Sequence, residues 1–162
     1  MAFPNTVVSD LRSGVVGEVS FDSPYTGVSA VVNSASAANN VFGRAFTYVD
    51  ESVETIGAGG TGLFAGILVN PKAFAVTSIE STDDTVPNGT PVEVMREGEC
   101  FVLLSVGTGV TIGDGVFFVN ATGELGAGTA AAGQTQIVGA SVFRHNPSAA
   151  NAPSLATIRI KA

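Results

Sequence analysis

The sequence has 162 residues with a net charge of −7, and only 13% of its residues are charged. So few charges beside 45% hydrophobic residues exclude a disordered chain, and the lack of a basic stripe excludes a groove that follows the phosphates of DNA or RNA. A single histidine and a single cysteine exclude an internal disulfide and a zinc site built from these residues.

The N-terminal stretch Met1–Asp10 has neither the positive start nor the apolar run of a signal peptide, and no stretch of the sequence approaches the 18 apolar residues of a membrane helix. Its apolar residues form two pairs, Phe3-Pro4 and Val7-Val8. We interpret the stretch either as an arm whose residues Phe3, Pro4, Val7 and Val8 contact a partner protein, or as a strand packed on its own barrel.

Short candidate strands bounded by Gly, Pro, Asn and Asp recur along the whole chain. Helical periodicity is nearly absent, with at most a turn or two at residues 34–39. The pattern predicts an all-β protein, a small β-barrel or β-sandwich with long small-residue loops and little helix. The predicted strands are residues 15–21, 41–49, 63–69, 73–77, 91–95, 99–106, 115–120, 136–143 and 155–161.

The middle of the chain contains most of the acidic residues and a candidate boundary between two regions. Residues 50–100 contain nine acidic and two basic residues, which indicates a solvated, repulsive surface. The polar run at residues 80–90 is typical of a linker or long loop. We therefore expect an N-terminal β region with an extended arm (residues 1–85) and a C-terminal barrel-like region (residues 86–162). The alternative is that both regions form one domain with a shared core.

A glycine-rich stretch matches the dinucleotide fingerprint G-x-G-x-x-G at Gly57, Gly59 and Gly62. The fingerprint requires a helix to follow, yet Leu63–Val69 is apolar throughout, contains a glycine and is soon ended by Pro71. The stretch therefore predicts a flexible loop that leads into a buried strand. No dinucleotide or other cofactor is expected.

The remaining candidates for chemistry are isolated residues. His145 lies before a small-residue segment and is expected to be solvated at the start of a loop. Cys100 precedes an apolar strand and is expected to behave as a small hydrophobe. The acids of residues 83–99 lack the ligand spacing of an EF-hand. The sequence therefore predicts no catalytic, cofactor-binding or metal-binding residues.

Two stretches resemble a known family. "VGEVSFDSPYTGVSAVVNSASAANNVFGRAFTYVD" with "GTGLFAGILVNPKAFA", and later "GVTIGDGVFFVNATGELGAG…IVGASVF", are similar to the structural cement or head-decoration proteins of tailed bacteriophages. The resemblance spans most of residues 15–143. It implies a non-enzymatic virion protein, made in the host bacterial cytoplasm, that binds the major capsid protein on the capsid exterior and stabilises the shell, without nucleic acid, membrane or cofactor.

Low charge density together with the resemblance favours a homo-oligomer, with a trimer as the expected state. The alternative is a β-sandwich receptor- or glycan-binding module of a phage tail or fibre. Sugar sites usually stack the sugar on aromatic side chains, and the chain has no Trp and two Tyr, which counts against that alternative.

Overall fold

The computed structural model describes residues 14–20, 24–71, 85–106, 109–145 and 154–161. Strands dominate these residues, and the helices described there are two short 3₁₀ helices at Ala37–Asn39 and Glu51–Val53. The all-β prediction is confirmed. The strands are β1 (Thr26–Val32), β2 (Ala45–Asp50), β3 (Thr55–Ala58), β4 (Phe64–Leu68), β5 (Pro91–Val106), β6 (Gly115–Val119), β7 (Leu125–Ala127), β8 (Gln134–His145) and β9 (Ser154–Ile160).

The first five strands close into a ring, which we call the first ring. β3 pairs in parallel with β1 and antiparallel with β2, and β2 pairs on its other side with β4. The first half of β5 closes the ring by pairing antiparallel with both β4 and β1. Closure matters because it satisfies the backbone hydrogen bonds that an open sheet leaves at its edges.

The second half of β5 begins another ring, the second ring, with the same connectivity. β7 pairs in parallel with β5 and antiparallel with β6, and β6 pairs with β8. β9 then closes the ring between β8 and β5. The path from β5 to β9 therefore repeats the path from β1 to β5, and β5 is the last strand of one ring and the first strand of the other.

Gly98 lies where β5 passes from one ring to the other. Its φ of 123° is available to glycine but strained for other residues. A Cβ at this position would also lie 2.6 Å from the Cβ of Tyr25. The sequence analysis predicted two strands, 91–95 and 99–106, and the structure joins them in one because Gly98 lets the chain bend while pairing continues.

Each ring has a hydrophobic core. The first-ring core includes Phe46, Ile56, Leu68 and Val94, all fully buried. The second-ring core also takes in residues from the outer wall of the first ring, such as Ile67 and Met95. Phe64 of β4 stacks on Phe118 of β6 with ring centroids 6.2 Å apart. The two rings are therefore packed against each other through apolar side chains.

The predicted strands at 41–49, 63–69, 115–120, 136–143 and 155–161 are confirmed as β2, β4, β6, β8 and β9, with shifted ends. The strand predicted at 15–21 is wrong for the described residues 14–20, which make a turn and one isolated bridge from Val19 to Cys100. The prediction for 73–77 lies outside the described residues. β1, β3 and β7 were not predicted. β3 and β7 are short, and each contains a glycine in place of a strand-forming side chain.

Candidate functional site

The glycine-rich stretch contains part of β3 and the loop between β3 and β4. The prediction that a strand and not a helix follows it is confirmed by β4. Gly59, with φ 70°, donates its N–H to the Ala45 carbonyl at 2.9 Å, and Gly60 donates to the Asn120 carbonyl at 2.7 Å. A Cβ at Gly59 would lie 2.5 Å from that Asn120 oxygen. These two glycines therefore allow the rings to approach each other closely.

The turn between β6 and β7, residues 120–124, forms the other side of this contact, which we call the seam. The Ala45 N–H donates to the Gly123 carbonyl at 2.9 Å. The Arg44 guanidinium donates to the Thr122 carbonyl at 3.1 Å and pairs with the Glu124 carboxylate at 3.2 Å. The seam is thus held by backbone hydrogen bonds and a half-buried ion pair.

A surface pocket of about 450 Å³ opens beside the seam. Its lining is largely apolar and includes Val16, Phe42 and Leu103, with the Arg44–Glu124 pair at one side. The Asn70 side chain also lines it, and its Oδ1 is buried without a hydrogen-bond donor among the described residues. The pocket offers a largely apolar surface, and its described lining holds no nucleophile paired with a base.

Cys100 is fully buried in β5, and its burial, followed by the nearby Glu18 carboxylate, raises the pKa of the thiol to about 12. The interpretation of Cys100 as a small hydrophobe is consistent with this environment. His145 is the last residue of β8 and pairs with Ala156. It therefore does not open a loop as expected, because β8 extends two residues beyond the predicted strand end.

Within the described ranges, no group of three His, Cys, Asp or Glu side chains is placed to hold a metal ion. The helices found in those ranges are also too short to span a bilayer. The expected contact residues Phe3, Pro4, Val7 and Val8 lie outside the described residues.

An exposed apolar surface, which we call the outer patch, lies at one end of the first ring. Its residues are Val31, Val49, Val53 and Leu63, and the last three are 60%, 62% and 58% exposed. Strand register places them at the same end of the ring, since Val31 pairs with Thr55, which pairs with Asp50 next to Val49. The Leu63 carbonyl accepts the N–H of Tyr48, the residue before Val49.

The outer patch is bordered by acidic residues of the turn between β2 and β3. Asp50, Glu51 and Glu54 are all exposed. The Asp50 carboxylate accepts the Ser52 N–H at 2.9 Å and the Ser52 hydroxyl at 2.6 Å, and these bonds lower the pKa of Asp50. Glu54 has φ 50°, and it is the one non-glycine residue with positive φ in the described part of the chain. The border is therefore charged and held in a defined turn.

Sequence reasoning missed the outer patch. Val49 and Leu63 each lie at one end of a predicted strand, but Val53 lies in a segment with no regular pattern. Their proximity depends on the order β1-β3-β2-β4 around the ring, in which β3 is inserted between β1 and β2. No spacing in the sequence encodes that order.

Comparison with known proteins gives a match over nearly the whole chain. A family model described as "Structural cement protein (E217 gp24/Pam3 gp6)" matches residues 3–161. Among solved structures, a chain from "The capsid of Myoviridae Phage XM1" is similar with a TM-score of 0.68 and 20% identity, covering 99% of this chain and 98% of that chain. A search of curated proteins found no match. At this identity the structural likeness shows a shared fold.

Proposed function

The chain belongs to the phage structural cement protein family, and from this premise we propose that it binds the outer surface of an assembled phage capsid and stabilises the shell without catalysing a reaction. The membership also confirms the resemblance found in residues 15–143. The observation that carries the proposal is the family match over residues 3–161.

The physical properties of the molecule support this role. Two closed rings hold their strands in place on both sides, which gives a rigid body suited to bridging other proteins. The glycine-rich stretch, Cys100 and His145 each take part in the fold: the glycines lie in the seam, Cys100 is buried, and His145 pairs with β9. The outer patch, in contrast, is an exposed apolar surface, and such surfaces mark contact sites on soluble proteins.

We also propose that the N-terminal residues Phe3, Pro4, Val7 and Val8 contact the capsid, and that the protein acts as a homo-oligomer, with a trimer expected. Several modest contacts in one oligomer combine, and linked sites exceed single-site affinity by about 10² to 10⁴. The protein is made in the host bacterial cytoplasm and reaches the virion when it binds the shell.

The proposed function is tested with capsid shells that lack this protein. Purified protein is added, and the particles are imaged by electron microscopy and heated to measure shell disruption. We expect density on the shell exterior and a higher disruption temperature. Binding confined to tails or fibres, or binding inside the shell, would contradict the proposal.

The N-terminal contacts are tested by deleting residues 2–8. If these residues contact the capsid, the variant keeps the melting temperature of the intact protein and loses affinity for shells. A lower melting temperature with shell binding retained would mean that the segment packs on its own barrel.

The proposed homo-oligomer is tested by native mass measurement of the protein in solution and of the protein released from dissociated shells. A strict monomer in both would contradict it.

A further inference from the structure

The two rings use equivalent turns in different ways. The turn between β6 and β7 in the second ring is covered, because residues 120–124 pack against Ala45, Gly59 and Gly60 of the first ring. The corresponding turn between β2 and β3 in the first ring carries Val53 and three acids and is exposed. One copy of this turn is therefore a docking element within the molecule, and the other copy is uncovered.

We infer that the outer patch is the surface through which this protein contacts the capsid shell, and that the shell offers there an apolar depression bordered by lysine or arginine side chains. This inference rests on the proposed function, since it takes the shell as the partner. It adds which face of the protein is turned toward the shell and what chemistry receives it.

The apolar part of the argument is the grouping of the exposed side chains. Single exposed valines are ordinary, as Val138 of β8 illustrates at 90% exposure. Val49, Val53 and Leu63 instead lie at the same end of one ring, on elements that are joined by strand pairing and a turn. Burying such a group on a partner removes apolar surface from water at one place, as at the centre of a protein interface.

The charge at the border identifies the partner. Asp50, Glu51 and Glu54 lie in the turn that carries Val53, and the sequence from residue 45 to residue 71 contains no Lys or Arg. Two copies of this protein meeting through the patch would bring like charges together, which opposes association. A partner with basic residues around an apolar centre matches both features, and the fixed Asp50–Ser52 turn presents the carboxylates in a constant arrangement.

The apolar contact is tested with the double variant Val53→Ser and Leu63→Ser, using the intact protein and shells that lack it. The matched control is Ile112→Ser with Val138→Ser, which removes two similarly exposed apolar side chains from the second ring. We expect the patch variant to bind shells about tenfold more weakly or worse, and the control to bind as the unmodified protein does. Both variants should keep the same melting temperature, because all four side chains are exposed.

The charged border is tested with Glu51→Gln and Glu54→Gln, and the control is Glu97→Gln, an exposed acid of β5. Affinity of the unmodified protein should fall as salt rises from about 50 to about 500 mM NaCl, and the double variant should be weaker at low salt with a flatter response. Equal salt responses would overturn the basic border.

The outcomes separate this inference from the proposed function. If the unmodified protein fails to bind shells, the proposed function fails. If it binds and the patch variants bind equally well, the proposed function stands and the inference is overturned. A patch variant that changes the oligomeric state and leaves shell binding unchanged would also overturn it, because the patch would then join copies of this chain.

Discussion

Glu54 and Gly123 lie in corresponding turns of the two rings, Glu54 directly before β3 and Gly123 two residues before β7. Both have positive φ, 50° at Glu54 and 74° at Gly123. A non-glycine residue in this region costs about 1–2 kcal/mol. The second ring avoids this cost with glycine, and the first ring bears it at a residue that borders the outer patch.

Replacing Glu54 with glycine is therefore expected to stabilise the fold slightly. Relief of the left-handed conformation is partly offset by the greater freedom of glycine in the unfolded chain, which leaves a gain of about 0.5 kcal/mol. Gly123→Ala should do the opposite and cost about 2 kcal/mol or more, because its Cβ would lie 2.5 Å from the Ala45 carbonyl oxygen. Urea unfolding measures both. Destabilisation by Glu54→Gly would show that the Glu54 side chain stabilises the turn.

Cys100 predicts a pH dependence of stability on the alkaline side. The folded-state pKa of about 12 lies above the ordinary value of 9.0, so the folded protein holds the thiol proton that the unfolded chain loses. The contribution of this thiol to the free energy of unfolding is fully present below pH 9. It declines as pH rises toward 12, by at most about 1.4 kcal/mol per pH unit. In Cys100→Ala this part of the decline should be absent. Unfolding curves of both proteins from pH 8 to pH 11 measure it, and a constant difference between them would contradict the assignment.

At the scale of elements, β5 is a single strand because Gly98 permits its bend. Gly98→Ala should cost about 3 kcal/mol, since it combines a strained φ with a Cβ 2.6 Å from the Cβ of Tyr25. Gly89→Ala is the control, because Gly89 has φ 85° but open space around the position of a Cβ. It should cost only about 1 kcal/mol. Equal losses of melting temperature in the two variants would show that the contact with Tyr25 relaxes without cost.

The elements also show how much of the fold the sequence could predict. Strands with continuous β-branched or aromatic residues, such as β6 and β9, were found because local preference and burial agree. β3 and β7 were missed because each strand is short and contains a glycine. Gly126 of β7, for example, lies close to the Val106 carbonyl of the neighbouring strand β5. The outer patch was missed for a different reason: its residues are brought together by the order of strands around the ring, which depends on distant pairings. The absence of a helix after the G-x-G-x-x-G match was predictable, because Gly66 and Pro71 disfavour a helix there and both can be read directly from the sequence.

For the whole molecule, the predicted regions 1–85 and 86–162 differ in what each could form alone. Residues 86–162 contain all five strands of the second ring, while residues 1–85 lack β5, which closes the first ring. We propose that the two regions share one core and that the full chain unfolds in one cooperative transition, because Ala45 and Ile67 of the first region are buried in the second-ring core.

This proposal is tested with the two fragments and the full chain. Calorimetry of the full chain should give a single transition whose calorimetric and van't Hoff enthalpies agree. Fragment 1–85 should lack cooperative unfolding, and fragment 86–162 should keep β-structure with a lower melting temperature. Two separate transitions in the full chain, or a stable fragment 1–85, would instead establish two independent domains.

The strand shared by the two rings also determines how the molecule bears mechanical load. Hydrogen bonds between strands run across the strand direction, so a pull along β5 loads the bonds on both its flanks in shear and at the same time. A pull across β5 would open those bonds one after another. Resistance to stretching is therefore directional, greatest along β5, and a protein fastened to two points on a swelling surface bears the most tension when β5 lies along the line that joins them.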